Sequence, residues 1–183
     1  MKKNILIITV LLISFKAISQ QNRTVDVLVG LGITAPYEEI DVTGHGFYLQ
    51  GEYVYEISKW VDLRPYAGVI LTKAKTPDNE SLKEYKVSTN AFLFGAKGRL
   101  TIPIPWVAPY IEFGIGGSVG KFQTITPKYQ IEDGGITYHI PVTLGLKLGP
   151  NHQTDFSLSY YMHHNEQQFA GAVAIGFSIP LNK

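Results

Sequence analysis

The chain has 183 residues, with 16 Lys and Arg against 15 Asp and Glu, five His and no Cys. That length suits one domain, and the missing Cys excludes disulfides, thiolate metal sites and a Cys nucleophile together. A charged fraction of 17% beside 18 Gly, 11 Tyr and 9 Phe argues against disorder, and the near-neutral balance offers nothing to a nucleic acid.

The N-terminus is expected to be an address label. Lys2 and Lys3 precede an apolar run from Ile5 to Phe15, and Ala17-Ile18-Ser19 supplies small residues for cleavage, the three-part pattern of a secretory signal. The run is shorter than the roughly 20 residues a spanning helix needs. Cleavage after Ser19 would give a signal peptide of residues 1–19 and one domain of residues 20–183. It removes Lys2, Lys3 and Lys16 and no acid, so a formal charge of +1 becomes −2.

After Arg23 the apolar residues alternate with period two, and helical spacing is never sustained. Eight strands are predicted: Thr24 to Ala35, Phe47 to Ser58, Val61 to Ala74, Val87 to Ile102, Val107 to Gly120, Ile136 to Leu148, Thr154 to His163 and Phe169 to Ile179. The connections at Lys59-Trp60, Pro103 to Trp106 and Pro150 to Gln153 are short. Those at Pro36 to Gly46, Lys75 to Lys86 and Lys121 to Gly135 are long and polar, and His164 to Gln168 lies on the same side. Short and long connections alternating along an even number of strands predict an all-β, eight-stranded antiparallel up-and-down transmembrane barrel.

One face of the strands is large and apolar, as in Leu49, Tyr53, Tyr55 and Ile57, or Ile111, Phe113, Ile115 and Val119. The other is small or polar, as in Ala170, Ala172, Ala174, Gly176 and Ser178. Residues that small suit a crowded interior better than a water-facing surface. The small face is therefore expected inside and the apolar face outside, against lipid. Trp60 and Trp106, both in short turns, fit an aromatic belt at the periplasmic interface.

The same parity places Glu52, Glu56, Asp62, Arg64, Lys97, Arg99, Glu112, Lys147 and Asp155 in the lumen. All but Glu52 lie near the short turns, which predicts a salt-bridged plug at the periplasmic end. The other reading of these charges is the lining of a narrow solute channel. Charges of both signs at one depth favour pairing and closure, because a selective pore presents one sign to its ion.

His139 is placed on the inward face of the sixth strand, and His163-His164-Asn165-Glu166 ends the seventh near the outer loops. Adjacent His residues on a strand point to opposite faces, so no metal site is expected, and no cofactor. The stretch resembles in part the small lipid A deacylases, which place Ser two residues after the catalytic His. Here those positions hold Asn165 and Glu166, so the expected nucleophile is missing and no catalytic residue is assigned.

The hairpin phrases Leu63-Arg64-Pro65-Tyr66-Ala67-Gly68 and Val107-Ala108-Pro109-Tyr110-Ile111-Glu112-Phe113-Gly114, with the last strand Ala174-Ile175-Gly176-Phe177-Ser178-Ile179, resemble the small outer-membrane β-barrels. The resemblance is to proteins related to OmpX and the OmpA barrel, in the style common among Bacteroidota. It implies a closed polar interior, variable surface loops and a place in the cell outer membrane. The expected role is non-enzymatic, structural or surface-interacting. Outer-membrane lipid is a partner, and lipopolysaccharide or a surface protein could meet the loop residues Lys73, Lys75, Lys83, Lys86, Lys121 and Lys128. The competing reading is a soluble lipocalin-like ligand-binding barrel, with the apolar face turned inward.

Overall fold

The computed structural model describes residues 23–75 and 79–181. The expected signal peptide lies outside the described residues, as does the segment 76–78. The described chain forms β1 (Thr24–Pro36), β2 (Gly44–Glu56), β3 (Val61–Ala74), β4 (Lys86–Thr101), β5 (Val107–Ile125), β6 (Gln130–Leu148), β7 (Thr154–His163) and β8 (Gln168–Pro180). Each strand pairs antiparallel with the next, and β8 closes on β1. Closure leaves every strand with two neighbours along most of its length, which is what lets a sheet stand in lipid with its backbone satisfied.

Two expected boundaries were too tight. The segment from Lys121 to Gly135, read as a loop, is mostly hairpin: the ladder runs on to Ile125↔Gln130, leaving only a tight turn in which the Thr126 N–H donates to the Tyr129 carbonyl at 2.8 Å. Its Lys, Gln, Glu and Asp obscured the alternation, while Thr124, Ile125 and Ile131 retain β-preference. β2 likewise begins at Gly44 instead of Phe47. A Cβ on Gly46 would stand 1.8 Å from the Leu71 carbonyl oxygen, so this glycine permits a close strand approach where it had looked like loop punctuation.

The apolar face is outside. Leu31 is 70% exposed, Ile115 69% and Ile136 80%, whereas Arg64 and Arg99 are buried. This inverts the distribution of a water-soluble protein, and the lipocalin-like arrangement with apolar residues inward is not what the chain adopts. Inside, Leu28, Tyr48, Ile70, Leu93, Phe122 and Tyr161 pack together toward the end with long loops. Small residues on the facing walls make room for the tyrosines. A Cβ at Gly116 would meet the Tyr66 hydroxyl at 2.2 Å, and one at Gly145 would meet the Tyr110 ring at the same distance.

Trp60 and Trp106 stand exposed at the short-turn end. Trp106 has φ of 71°, unusual for a bulky residue, and its carbonyl accepts from the Gly149 N–H at 2.9 Å across the next turn.

Candidate functional site

Period two decides which charges enter the barrel, and the register decides which of them meet. Asp26, Glu52, Arg64, Lys97, Arg99, Glu112 and Asp155, from six different strands, are each at most 1% exposed. Arg64 donates to Asp26 at 2.7 Å and to Glu52 at 2.9 Å, and reaches Asp62 at 3.2 Å. Lys97 bridges Glu52 at 2.5 Å and Glu112 at 2.6 Å. Arg99 joins Glu112 at 2.5 Å to Asp155 at 3.2 Å, with its guanidinium stacked 3.6 Å over the Tyr110 ring. Lys147 closes the cluster on Asp26 at 3.1 Å.

Four buried carboxylates (Asp26, Glu52, Glu112, Asp155) thus face four cations (Arg64, Lys97, Arg99, Lys147), with the partly exposed Asp62 a fifth acid at the short-turn rim. Such a set is tolerable in a low-dielectric interior only when paired and hydrogen-bonded throughout. Removing one member leaves a net buried charge.

Eight of the nine charges assigned to the lumen from parity meet there. Glu56 does not: it is the last residue of β2, exposed, directly across the ladder from Asp62, and it makes no ion pair among the described residues. It lines instead a polar bowl of about 390 Å³ at the short-turn end, whose lining includes Asp62, Arg64, Lys147 and Ser178. Asp26 was missed, although it stands on the inward parity of β1 between Val25 and Val27 and could have been found by the same rule.

Toward the long-loop end the polar contacts become neutral. Tyr48 and Tyr161 share a hydrogen bond of 2.7 Å, Tyr161 donates to the Gln50 carbonyl at 2.7 Å, and the Gln50 amide donates to Glu52 at 2.8 Å. A second chain links Tyr66 to His139 Nε2 at 2.5 Å, His139 Nδ1 to Ser118 Oγ at 2.7 Å, and Ser118 Oγ to His163 Nε2 at 2.8 Å. Ser118 has one proton to donate, so at least one of the two histidines must donate to it.

Sequence reasoning placed His139 inward but did not bring it to His163, whose ring centroid lies 5.5 Å away. Nor did it bring Ser118 to either. A serine between two histidines has the donor set of an activated nucleophile. Here all three are buried, and neither histidine makes a hydrogen bond or ion pair to a carboxylate among the described residues. Val42, Val87 and Phe122 are buried toward the same end.

Outside the lumen, Lys73, Lys75, Lys83, Lys86, Lys121 and Lys128 are all exposed at the long-loop end. Lys83 pairs with Glu80 at 2.9 Å within a short 3-10 turn, Glu80–Leu82, and Lys128 lies 3.9 Å from Glu38. Burial, with the nearby Glu166 and Tyr138, raises the pKa of the Tyr37 hydroxyl in the loop after β1.

No protein-family model matches the chain, and no curated protein matches it by sequence. Solved structures do match by shape. The fold is that of small outer-membrane barrels. Neisserial surface protein A aligns with a TM-score of 0.58 at 11% identity, over 87% of this chain and 97% of that one. The outer-membrane enzyme PagL gives 0.52 at 16% identity, covering 85% and 99%. The N-terminal barrel domain of Pseudomonas aeruginosa OprF gives 0.50 at 14%, covering 87% and 98%.

Proposed function

We propose that this chain is a non-enzymatic outer-membrane barrel with a closed lumen, acting at the cell surface through the hairpins of its long-loop end. The observation that carries the reading is the ion cluster across the bore, in which every buried charge has a partner of opposite sign. Charges locked to one another at 2.5 to 3.2 Å neither bind a passing ion nor open a path for one, so they serve as an internal brace. The outward apolar band, the secretory pattern of residues 1–19 and the shared fold support a place in the outer membrane. The exposed lysines of the long-loop end suit the phosphates of lipopolysaccharide or an acidic surface partner.

A lipid A deacylase reading would need a substrate at Ser118. That serine sits inside the barrel wall beside two buried histidines, which supports a structural role for the trio. The test combines three measurements on refolded protein and on expressing cells. Unboiled protein should migrate differently from boiled protein on a gel. Planar bilayers should show no steady current, and lipid A should keep its acyl chains after incubation. A stable ion-selective current abolished by Glu112→Gln or Arg99→Gln would overturn the closed-lumen reading, and loss of an acyl chain would overturn the non-enzymatic one.

A further inference from the structure

Two hollows adjoin at the short-turn end. The polar bowl of about 390 Å³ opens in the barrel mouth, and an apolar groove of about 460 Å³ lies on the outer side of the wall. Trp60, Leu100, Ile102, Pro109 and Ile111 line the groove, while Thr101 lines both hollows. Consecutive residues are divided between the two: Lys59 lines the bowl and Trp60 the groove, and Ala108 the bowl and Pro109 the groove. The sill between them is backbone, held where the Thr101 N–H donates to the Trp60 carbonyl at 2.9 Å. Trp60, Leu100 and Ile102 are each more than half exposed, at the level where an aromatic belt meets the membrane interface. An acyl chain is the natural occupant of such a groove.

The bowl is mixed in sign and incompletely paired. Glu56 and Asp62 stand directly opposite each other on β2 and β3, a placement in which like charges repel. Arg64 answers Asp62 at 3.2 Å, but Glu56 has no counter-ion among the described residues. Lys59, in the turn that joins the same two strands, is exposed and has none either. Deeper in the mouth, Lys147 donates to Asp26 and to Ser178, both at 3.1 Å, and an ammonium has a third N–H to give. A bare divalent cation here would meet Lys59, Arg64 and Lys147, and a lone phosphate would meet Glu56 and Asp62. An occupant that carries both signs answers the whole set.

We propose that bowl and groove together hold one phospholipid of the ethanolamine class from the periplasmic leaflet. Its acyl chain lies in the groove against Trp60, and its phosphate sits at the sill on Lys59 and the Thr101 hydroxyl. The ammonium, two carbons further on, enters the bowl between Glu56 and Asp62. Three N–H donors let it serve both carboxylates at once, whereas a choline headgroup has no N–H and a glycerol headgroup has no positive charge. Continuity of the two hollows across Thr101 favours a lipid over a soluble zwitterion, which would leave the groove unused. With the ion cluster across the bore, the headgroup is held at the mouth. The proposal rests on the outer-membrane reading above and goes beyond it in naming a lipid class and its site.

The test uses refolded protein of residues 20–183 in detergent, offered equal amounts of phosphatidylethanolamine and phosphatidylglycerol with the same acyl chains. Native mass spectrometry counts which lipid stays bound. The ethanolamine lipid should be retained about fivefold over the glycerol one, the upper worth of a solvent-exposed ion pair. Glu56→Gln should bring that ratio to about one, because only the ammonium contact is lost. Lys59→Gln should weaken both lipids alike through the shared phosphate, and Lys128→Gln, at the far end of the barrel, neither. Unboiled gel mobility checks that each variant is folded. For location, Trp106→Phe leaves Trp60 as the sole tryptophan. In phosphatidylcholine vesicles its fluorescence should be quenched by chain-brominated phosphatidylethanolamine at a lower mole fraction than by the brominated glycerol lipid.

Equal retention of the two lipids by the parent chain, or a preference that survives Glu56→Gln, would overturn the proposal. So would displacement of the lipid by an equal concentration of soluble glycerophosphoethanolamine, which would assign the bowl to a free solute. Cell fractionation tests the membrane place separately: a barrel found in the outer membrane but without lipid preference sinks this proposal alone.

Discussion

Glu52→Gln is the sharpest probe of the plug. The substitution keeps the shape of the side chain and removes one charge from a neutral set, leaving Arg64 at 2.9 Å, Lys97 at 2.5 Å and Arg99 at 3.6 Å short of a shared counter-ion. Breaking a buried pair from one side costs about 3–5 kcal/mol. Three cations lean on this carboxylate, while the amide oxygen still accepts one hydrogen bond, so the same range is expected here. Adding Lys97→Met restores neutrality, since Lys97 bridges only Glu52 and Glu112. The double variant should cost about 1–3 kcal/mol less than the sum of the two single ones.

Urea unfolding from lipid vesicles, followed by the fluorescence of Trp60 and Trp106, measures each value. Because the pairs are sealed from solvent, the loss should barely change between low salt and ~1 M salt. A cost under about 1 kcal/mol that falls further in salt would refute the reasoning, because it would mean that water already screens the cluster. The same result would reopen the channel reading.

Two other perturbations test the neutral half of the lumen. Ser118→Ala leaves two buried histidine nitrogens without their shared partner and should cost about 1–3 kcal/mol in the same assay, with unboiled gel mobility retained. Gly116→Ala would drive a methyl to 2.2 Å from the Tyr66 hydroxyl and 2.5 Å from His139 Nε2, so it should fold poorly or lose stability by roughly 1–3 kcal/mol. Gly51→Ala, whose added carbon comes no nearer than 3.9 Å to a neighbour, should refold like the parent chain. Equal behaviour of the two alanine variants would refute the packing argument.

How far the molecule is legible in its sequence depends on the range of the interaction involved. Alternation is a local property of the extended chain, so Leu49, Phe113, Ile136 and Phe177 announce the outward face, and Ala170, Ala172 and Ala174 the inward one. Connection lengths are local too, and they fix antiparallel neighbours and the two ends of the barrel. Where the strands rise beyond the apolar band the pattern fades, which is why Lys121–Ile125 and Gln130–Gly135 looked like loop. The inward charges could be enumerated by parity, Asp26 included, but their partners could not.

Those partners come from chain distances that no local rule reaches. Lys147 meets Asp26 across 121 positions, Arg99 meets Asp155 across 56, and Ser118 meets His163 across 45. Each meeting depends on the tilt and stagger of all eight strands at closure. Glu56 shows the same limit from the other side: its parity is inward, but the barrel ends before it can be enclosed. The sequence by itself determined an inside-out, eight-stranded sheet, because period two and turn length act on residues side by side in the chain. Only the tertiary structure decided which charges meet across the bore and that β6 outruns β7, because both follow from how strands distant in sequence are set against one another.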